Sequence, residues 1–541
     1  MSSPNSIKET LQYFKNPKLL SIFCFGIASG FPWVMIGSAM SGWLKDEGLS
    51  RSSIGLFGLI FVAYSINFLW SPLVDRLKIP LFTRWLGQRR SWILLTQIII
   101  VACAYKLSTL EVSSQLNLMA LFGLFIAIAG ATQDISIDAY RIDLLSYQDS
   151  NAMAAGSAMA TAGWWTGYAG LGSIAFILVD QPGWYWGKVF IVLAVIMAIL
   201  SITAMVVKEP FSNREKIHKK IENNYLQALP SQGKRPLIIL LILPLILLSI
   251  FYANIGYPAW PESLIASDYR FSFISVFIIA LLVLFSKQLV HLNKAINNNQ
   301  NKTNAIEKNK TYQLTAWLLT TLVAPIQEFF DRNGTRLSIS ILLFIFLFKL
   351  GEAYLGRMSI VFYREVGFTN EDIAYYSKLI NWGVTIVFSL IGSVFTIRYG
   401  ILKGLFIGGI AMASSNLLFA LMAMVGPDKA LFAFTVFVDG FTSAWGSVAF
   451  VALLSVLCNQ SFTASQYALM ASLGTFGRVM LGSYSGIIVD WLDGNWALFF
   501  VLTSVMVIPS LLFLYAIRKP LNALIDKQNA DNLRRIKNSE S

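Results

Sequence analysis

The chain is poor in charge. Only 13% of its 541 residues are Asp, Glu, Lys or Arg, while 56% are hydrophobic, about half the charged share of a soluble globular protein. So few charges cannot cover a water-facing surface of this size, which excludes a soluble multidomain enzyme. Histidine is nearly missing too: His218 and His291 both sit in polar stretches, so no histidine-based metal site is legible. The three cysteines, Cys24, Cys103 and Cys458, lie in or beside apolar segments at unrelated spacings. They offer neither a disulfide framework nor a CxxC site. No P-loop, HExxH or nucleophile elbow occurs, so the expectation is a protein that is not an enzyme and needs no cofactor. The opening stretch MSSPNSIKETLQYFKNPK is too polar for a signal-peptide core, and the run from Leu19 reads as a retained span.

What the chain has is apolar length. Stretches of about 20 residues, enough to cross a bilayer, start near Leu19, Ser53, Ser91, Leu116, Asn151 and Trp186. Two more start near Leu237 and Phe271, and another six near Leu337, Ile373, Gly404, Ala430, Gln466 and Trp496. The expected fold is all-α and integral to the membrane: two six-helix bundles with two extra transmembrane helices between them, about 14 spans in all. A cytoplasmic N-terminus covers 1–18, the first bundle 19–207 and a basic linker 208–236. The extra pair covers 237–290, and a second linker 291–336. The second bundle covers 337–518, and a tail covers 519–541. Within the second linker, Tyr312 to Phe330 is moderately amphipathic and predicts a helix along the membrane face.

The 42 basic residues exceed the 29 acidic ones, and the excess collects in alternate loops, as at Arg76, Lys78, Arg84, Arg89 and Arg90. The positive-inside rule then places both termini in the cytoplasm and accounts for the charge without any nucleic-acid partner. Membrane lipids are the expected surroundings.

Charges inside apolar spans are costly and normally face a cavity or a partner. Asp134 and Asp138 are four apart on one face of the fourth span, with Gln133 and Arg141 beside them. Two such carboxylates could load and release a proton, or one could pair with Arg141 or the basic loop. Lys349 and Glu352 are three apart in the seventh span and could neutralise each other. Lys378, with Asn381 and Trp382 a turn below, could snorkel outward or face a ligand. Arg478 in the eleventh span needs a carboxylate, from Asp439, Glu352 or a substrate. Trp33, Trp164, Trp165 and Trp382 fall inside spans, where they could stack on sugar rings or simply pack.

Two six-helix blocks joined by a basic loop are the plan of the major facilitator superfamily. Asp75-Arg76 and Gly87-Gln88-Arg89-Arg90 are similar to its loop signature, which would form a charge latch closing the cytoplasmic side, with Arg141 nearby. The fifth span (Gly156, Gly163, Gly167, Gly170) and the eleventh (Gly474, Gly477, Gly482, Gly486) share spaced small residues, which predicts close helix approach in both halves.

Several stretches together resemble one family, the AmpG muropeptide permeases: Gly26 to Pro32, Phe68-Leu69-Trp70-Ser71-Pro72, Gln133 to Tyr140, Lys349 to Ala353, Ala449 to Leu454, and Gly477-Arg478-Val479. The resemblance implies a proton-coupled inner-membrane importer of anhydro-muropeptides working by alternating access, with the family's essential acidic residue mapping onto Asp138 and Asp134 its companion. It implies a sugar–peptide ligand met by aromatic faces, amides and the cations Lys349, Lys378 and Arg478. Two departures stand out. The extra spans fall between the halves here and not at the C-terminus, and Gly163-Trp164-Trp165-Thr166-Gly167 replaces a family stretch that carries an Arg. The alternatives are another solute, such as a siderophore or acyl conjugate, or a lipid flippase or receptor, which a lateral groove in place of a central cavity would reveal.

Overall fold

The computed structural model describes residues 7–49, 57–145, 150–212, 214–232, 309–369, 372–482 and 485–540, with isolated residues between 238 and 292. The two extra spans expected at 237–290 lie otherwise outside the described residues. All described elements are helical.

The first half holds α1 (Lys18–Asp46), α2 (57–76), α3 (Gln88–Leu107), α4 (Val112–Leu145), α5 (Ser150–Val179) and α6 (Trp186–Val206). The second holds α7 (Thr335–Val366), α8 (Tyr375–Tyr399), α9 (Ile401–Val425), α10 (Lys429–Leu457), α11 (Thr463–Gly482, then Ser485–Trp491) and α12 (Trp496–Lys527). Ten of these are long and apolar enough to cross a membrane, all but α2 and α11. In α6 the solvent is expected to be lipid. Val189, Phe190, Leu193 and Met197 pack inward on one face, while Ile191, Val195, Ile199 and Ile202 stand exposed on the other. Both faces are apolar, so burial from water cannot orient this helix; dispersion contacts and backbone fit do.

Backbone fit is clearest between α1 and α5. A Cβ added at Gly30 would stand 2.1 Å from the Trp164 carbonyl oxygen, and one at Gly167 would stand 2.1 Å from that of Ile27. Gly26 and Gly163 meet in the same seam. The matching expectation for α11 is not met at the two glycines described there. Gly474 and Gly486 have only ordinary contacts, nearest at 3.6 and 3.9 Å, and Gly477 and Gly482 lie outside the residues whose surroundings are described. In the second half the close approach moves to α10, where Gly408 of α9 meets Gly446 and Gly392 of α8 meets Trp445.

Several helices are interrupted along their length. A π-turn occupies Val34–Ala39 of α1, another Thr166–Leu171 of α5, and a third, Ile373–Ile380, leads into α8. α2 tightens into a 3-10 turn at Asn67–Leu69, and α7 breaks at Lys349 (φ −97°, ψ 16°). Irregular backbone at membrane depth survives where protein or a cavity surrounds it. The halves meet where α5 packs on α8 and α10, and where α2 and α4 pack on α11. At the end of the bundle carrying Arg76 and Arg89, two further helices dock. One is Arg214–Ala228, here called the linker helix. The other runs through Lys310–Leu318, Leu319–Val323 and Ala324–Asn333.

Candidate functional site

A cavity of about 990 Å³ lies between the halves. Its walls come from α1, α2, α4 and α5 on one side and α7, α8, α10 and α11 on the other; α3, α6, α9 and α12 contribute none of the lining residues. It is a central cavity, not a lateral groove.

The first-half wall is aromatic. Trp33 packs at 4.7 Å between ring centroids against both Phe61 and Tyr64, and Trp165 lies nearby in the lining. Trp33 follows Pro32 in α1 just before the π-turn, which sets the ring at the wall. Asp134 and Asp138 project from one face of α4 into the cavity, one helical turn apart. Their surroundings differ. Asp134 accepts a hydrogen bond from Ser29 at 2.6 Å and has no cation among the described residues. Asp138 pairs with Arg141 at 2.8 Å. That guanidinium also donates to Ser157 of α5 at 2.9 Å and to Ser455 of α10 at 3.0 Å, and lies over the Tyr467 ring of α11. Arg141 therefore ties both halves to Asp138.

The second-half wall is ionic. Glu352 lines it and pairs with Lys349 at 2.8 Å; Lys349 itself sits behind the wall and donates to Ser447 at 2.7 Å. Asp439 lines it and accepts from Ser415 at 3.2 Å. Arg478 lines it without an ion pair among the described residues, so neither Asp439 nor Glu352 is its partner. Asn381 lines it too and accepts from Thr385. A charge at membrane depth costs about 2.5–3.5 kcal/mol on insertion scales. Asp134, Asp439 and Arg478 meet that cost without ionic partners, which marks them as groups held for a ligand or a proton.

Several residues expected at the ligand sit elsewhere. Gln133 turns away from the cavity and donates to the Ala28 carbonyl at 2.6 Å, tying α4 to α1. Trp164 stacks on Tyr168 behind Trp33 and Trp165. Trp382 packs over Gly170 of the opposite half and seals α8 to α5. The side chain of Lys378 lies outside the described residues. Tyr64, Asn67, Tyr363, Tyr467 and Ser472 line the cavity and were not singled out from the sequence. The signal available was polar atoms recurring within one turn in α2 (Tyr64, Asn67). Ser472 donates to Asn67 at 2.8 Å across the halves. Among the described residues no group of three His, Cys, Asp or Glu could hold a metal.

Past Asp138, towards the basic end, the cavity is closed. Arg89 is fully buried and pairs with Asp75 at 2.7 Å and Asp143 at 2.9 Å. It also donates to Thr463 of α11 at 2.5 Å. Asp75 accepts from the Ser465 amide and hydroxyl at 2.9 and 2.5 Å, so its carboxylate caps the N-terminus of α11. The latch thus crosses from one half to the other. Arg214 of the linker helix joins it, 2.9 Å from Asp143. Arg76 and Arg90 brace it from outside: Arg76 pairs with Glu222 of the linker helix, and Arg90 donates to the Ala204 and Met205 carbonyls at the end of α6. Glu209 accepts from the Arg89 and Arg90 amides at the start of α3, and burial pushes its carboxyl up from the usual range.

Comparison with known proteins agrees with this architecture. The model of the Major Facilitator Superfamily matches residues 21–295, and that of sugar (and other) transporters matches 284–519. A putative transporter AmpG 4 of Rickettsia felis is 27% identical, covering 94% of this chain and 98% of the relative. The anhydromuropeptide permease of Escherichia coli K12 is 28% identical over 94% of this chain and 82% of its own length. Among solved structures, the proton:xylose symporter XylE bound to 6-bromo-6-deoxy-D-glucose is similar in fold, with a TM-score of 0.56 at 11% identity, covering 92% of this chain and 94% of XylE. The human organic anion transporter MFSD10 gives 0.53 at 12% identity, covering 92% and 98%. With a superfamily model spanning half of its length and the cavity set between two six-helix halves, the chain belongs to the major facilitator superfamily.

Proposed function

We propose that this protein imports anhydro-muropeptides, sugar–peptide fragments of the cell wall, across the bacterial inner membrane in symport with protons, with both termini in the cytoplasm. The observation that carries the reading is the cavity itself. It is near the upper end of the about 300–1,000 Å³ usual for small-molecule sites, and it combines an aromatic wall with unpaired charges of both signs. A sugar ring needs the first and a peptide stem the second. The names of the relatives in Rickettsia and Escherichia support the same cargo.

Coupling to protons runs through Asp138. Protonation removes the counter-charge of Arg141, and a buried guanidinium left unpaired is strongly destabilised. Arg141 must then shift, and with it the contact to Ser455 that holds α10 against the first half. Proton loading from the periplasm thereby loosens the halves only when Asp138 is neutral, and the inward gradient drives the cycle. The seal at the basic end fits loading from the opposite side.

The test is uptake of labelled GlcNAc-anhydroMurNAc-peptide into proteoliposomes with and without an inward proton gradient. Gradient-driven accumulation is expected for wild type, and Asp138→Asn is expected to abolish accumulation while retaining exchange of internal for external label. Accumulation by the variant equal to wild type would remove Asp138 from the coupling step, and a folded wild type without uptake would sink the cargo.

A further inference from the structure

We propose that the cargo lies across the seam in a fixed sense, its saccharide on the first-half wall and the charged end of its peptide stem on the second-half wall; this rests on the muropeptide reading above. Trp33 Nε1 and Tyr64 Oη are buried polar atoms on cavity-lining residues, and neither has a hydrogen-bond partner. A buried donor left unmade costs about 1–3 kcal/mol; neither atom stands on the cavity surface, so a ligand oxygen recovers that cost as the two rings turn towards it. Between them runs an aromatic surface, with Phe61 and Tyr64 each 4.7 Å from the Trp33 ring. Asn67 and Asp134 flank it with amide and carboxylate oxygens.

That set suits a neutral, hydroxyl-rich ring. The C–H face stacks on the aromatics, ring and N-acetyl oxygens accept from Trp33 and Tyr64, and hydroxyls donate to Asp134. It does not suit an anion: among the described residues no cation lines this wall, and Arg141 behind it is already spent on Asp138. The opposite wall has the reverse character. Arg478 offers a guanidinium to a stem carboxylate, while Asp439, with Glu352 beside it in the lining, offers an anion to a stem ammonium. Among the described lining residues Asp138 and Glu352 already have cations of their own in Arg141 and Lys349, which leaves Asp134 and Asp439 against the guanidinium of Arg478. A stem bearing an amine as well as carboxylates therefore meets both signs, whereas a purely anionic stem meets excess negative charge.

Calorimetric binding to the detergent-purified full chain separates the walls, using two probes: GlcNAc-anhydroMurNAc, and the same disaccharide carrying a peptide with free carboxylates and one free amine. Tyr64→Phe, which removes only the O–H, and Trp33→Phe, which removes the N–H together with part of the stacking face, are expected to weaken both probes by a similar factor of about tenfold. Arg478→Gln and Asp439→Asn are expected to weaken the peptide-bearing probe at least tenfold more than the disaccharide. Equal losses on both probes for the second pair, or disaccharide binding unmoved by the first pair, would overturn the orientation while leaving the cargo intact. A folded wild type that binds neither probe would overturn the cargo, and the orientation with it.

Discussion

Arg89 has no water to fall back on: its side chain is wholly buried, and its counter-charges come from α2 and α4 while Thr463 of α11 accepts its third hydrogen bond. Removing one partner of such a set leaves the others uncompensated, at about 3–5 kcal/mol. Arg89→Ala is expected to lower the thermal midpoint of the purified protein far more than Lys78→Ala, whose pair with Glu215 is exposed; equal midpoints would contradict the latch. Gly87, just before, is fixed by two constraints. Its φ is +88°, and a Cβ there would stand 2.3 Å from Glu209 Cγ, the residue that caps α3. Gly87→Ala should therefore reduce folded yield, which size-exclusion chromatography reads directly. At this scale the sequence marks charge well. Asp75, Arg89, Asp134 and Asp138 are conspicuous because an apolar run or a short loop surrounds them. It marks direction poorly. Gln133 sits next to Asp134 yet faces α1, because one residue along a helix turns the side chain by about 100° and only the neighbours decide which direction is the cavity. The partners Asp143, Thr463 and Ser465 were missed for a related reason. Hydroxyls at a helix start are ordinary caps until a carboxylate from the other half, nearly 400 positions away, meets them.

Among elements, the linker helix Arg214–Ala228 has the most distinctive chemistry. His218 donates from Nε2 to the Ser461 carbonyl at 2.8 Å and stacks on Phe462 at 4.9 Å. Burial holds its imidazole below the usual histidine range, against the pull of nearby Asp75 and with the push of Arg76 and Arg89. The folded form therefore binds the proton less readily than the unfolded one. Docking is fully favoured above the ordinary histidine value of about 6.5 and lost as pH falls through the depressed value. Hydrogen-exchange protection across 214–228, with each rate referred to the intrinsic amide rate at that pH, should fall as pH drops below the ordinary histidine value, and His218→Gln should flatten that dependence; an unchanged loss of protection in the variant would assign it to other groups. The α1–α5 seam makes a second demand: Gly167→Val puts carbon against the Ile27 carbonyl and should block folding, whereas Gly486→Ala, with open surroundings, should not. The spans themselves were legible, because length and hydropathy are local properties. The π-turns and the break at Lys349 were not, since they answer to a cavity formed only when both halves assemble.

For the molecule as a whole, the described state is sealed at one end by contacts that belong to neither half alone. Asp75 caps α11, Arg141 reaches Ser455, and Glu328 accepts from Asn459 and Gln466 at the α10–α11 turn. Cys458 is buried within this seal. In a Cys24→Ser, Cys103→Ser background, Asp75→Asn is expected to raise Cys458 labelling by a membrane-impermeant maleimide several-fold, through greater occupancy of the state open at that end; unchanged labelling would mean the cap does not hold the seal. The two-half plan was readable from repeated span counts and basic loops, but that the linker takes part in closure was not, because its helix looks like any solvated basic stretch. That participation has a mechanical consequence. Arg214 lies against Asp143 and Asp75 of the first half while His218 and Phe462 join it to the second. Each opening of this end must unseat one 15-residue helix and each closing must seat it again. The docking strength of a segment that never touches cargo thereby acts as a governor on turnover: tightened, it would slow the return stroke, and loosened, it would let the carrier slip open unloaded.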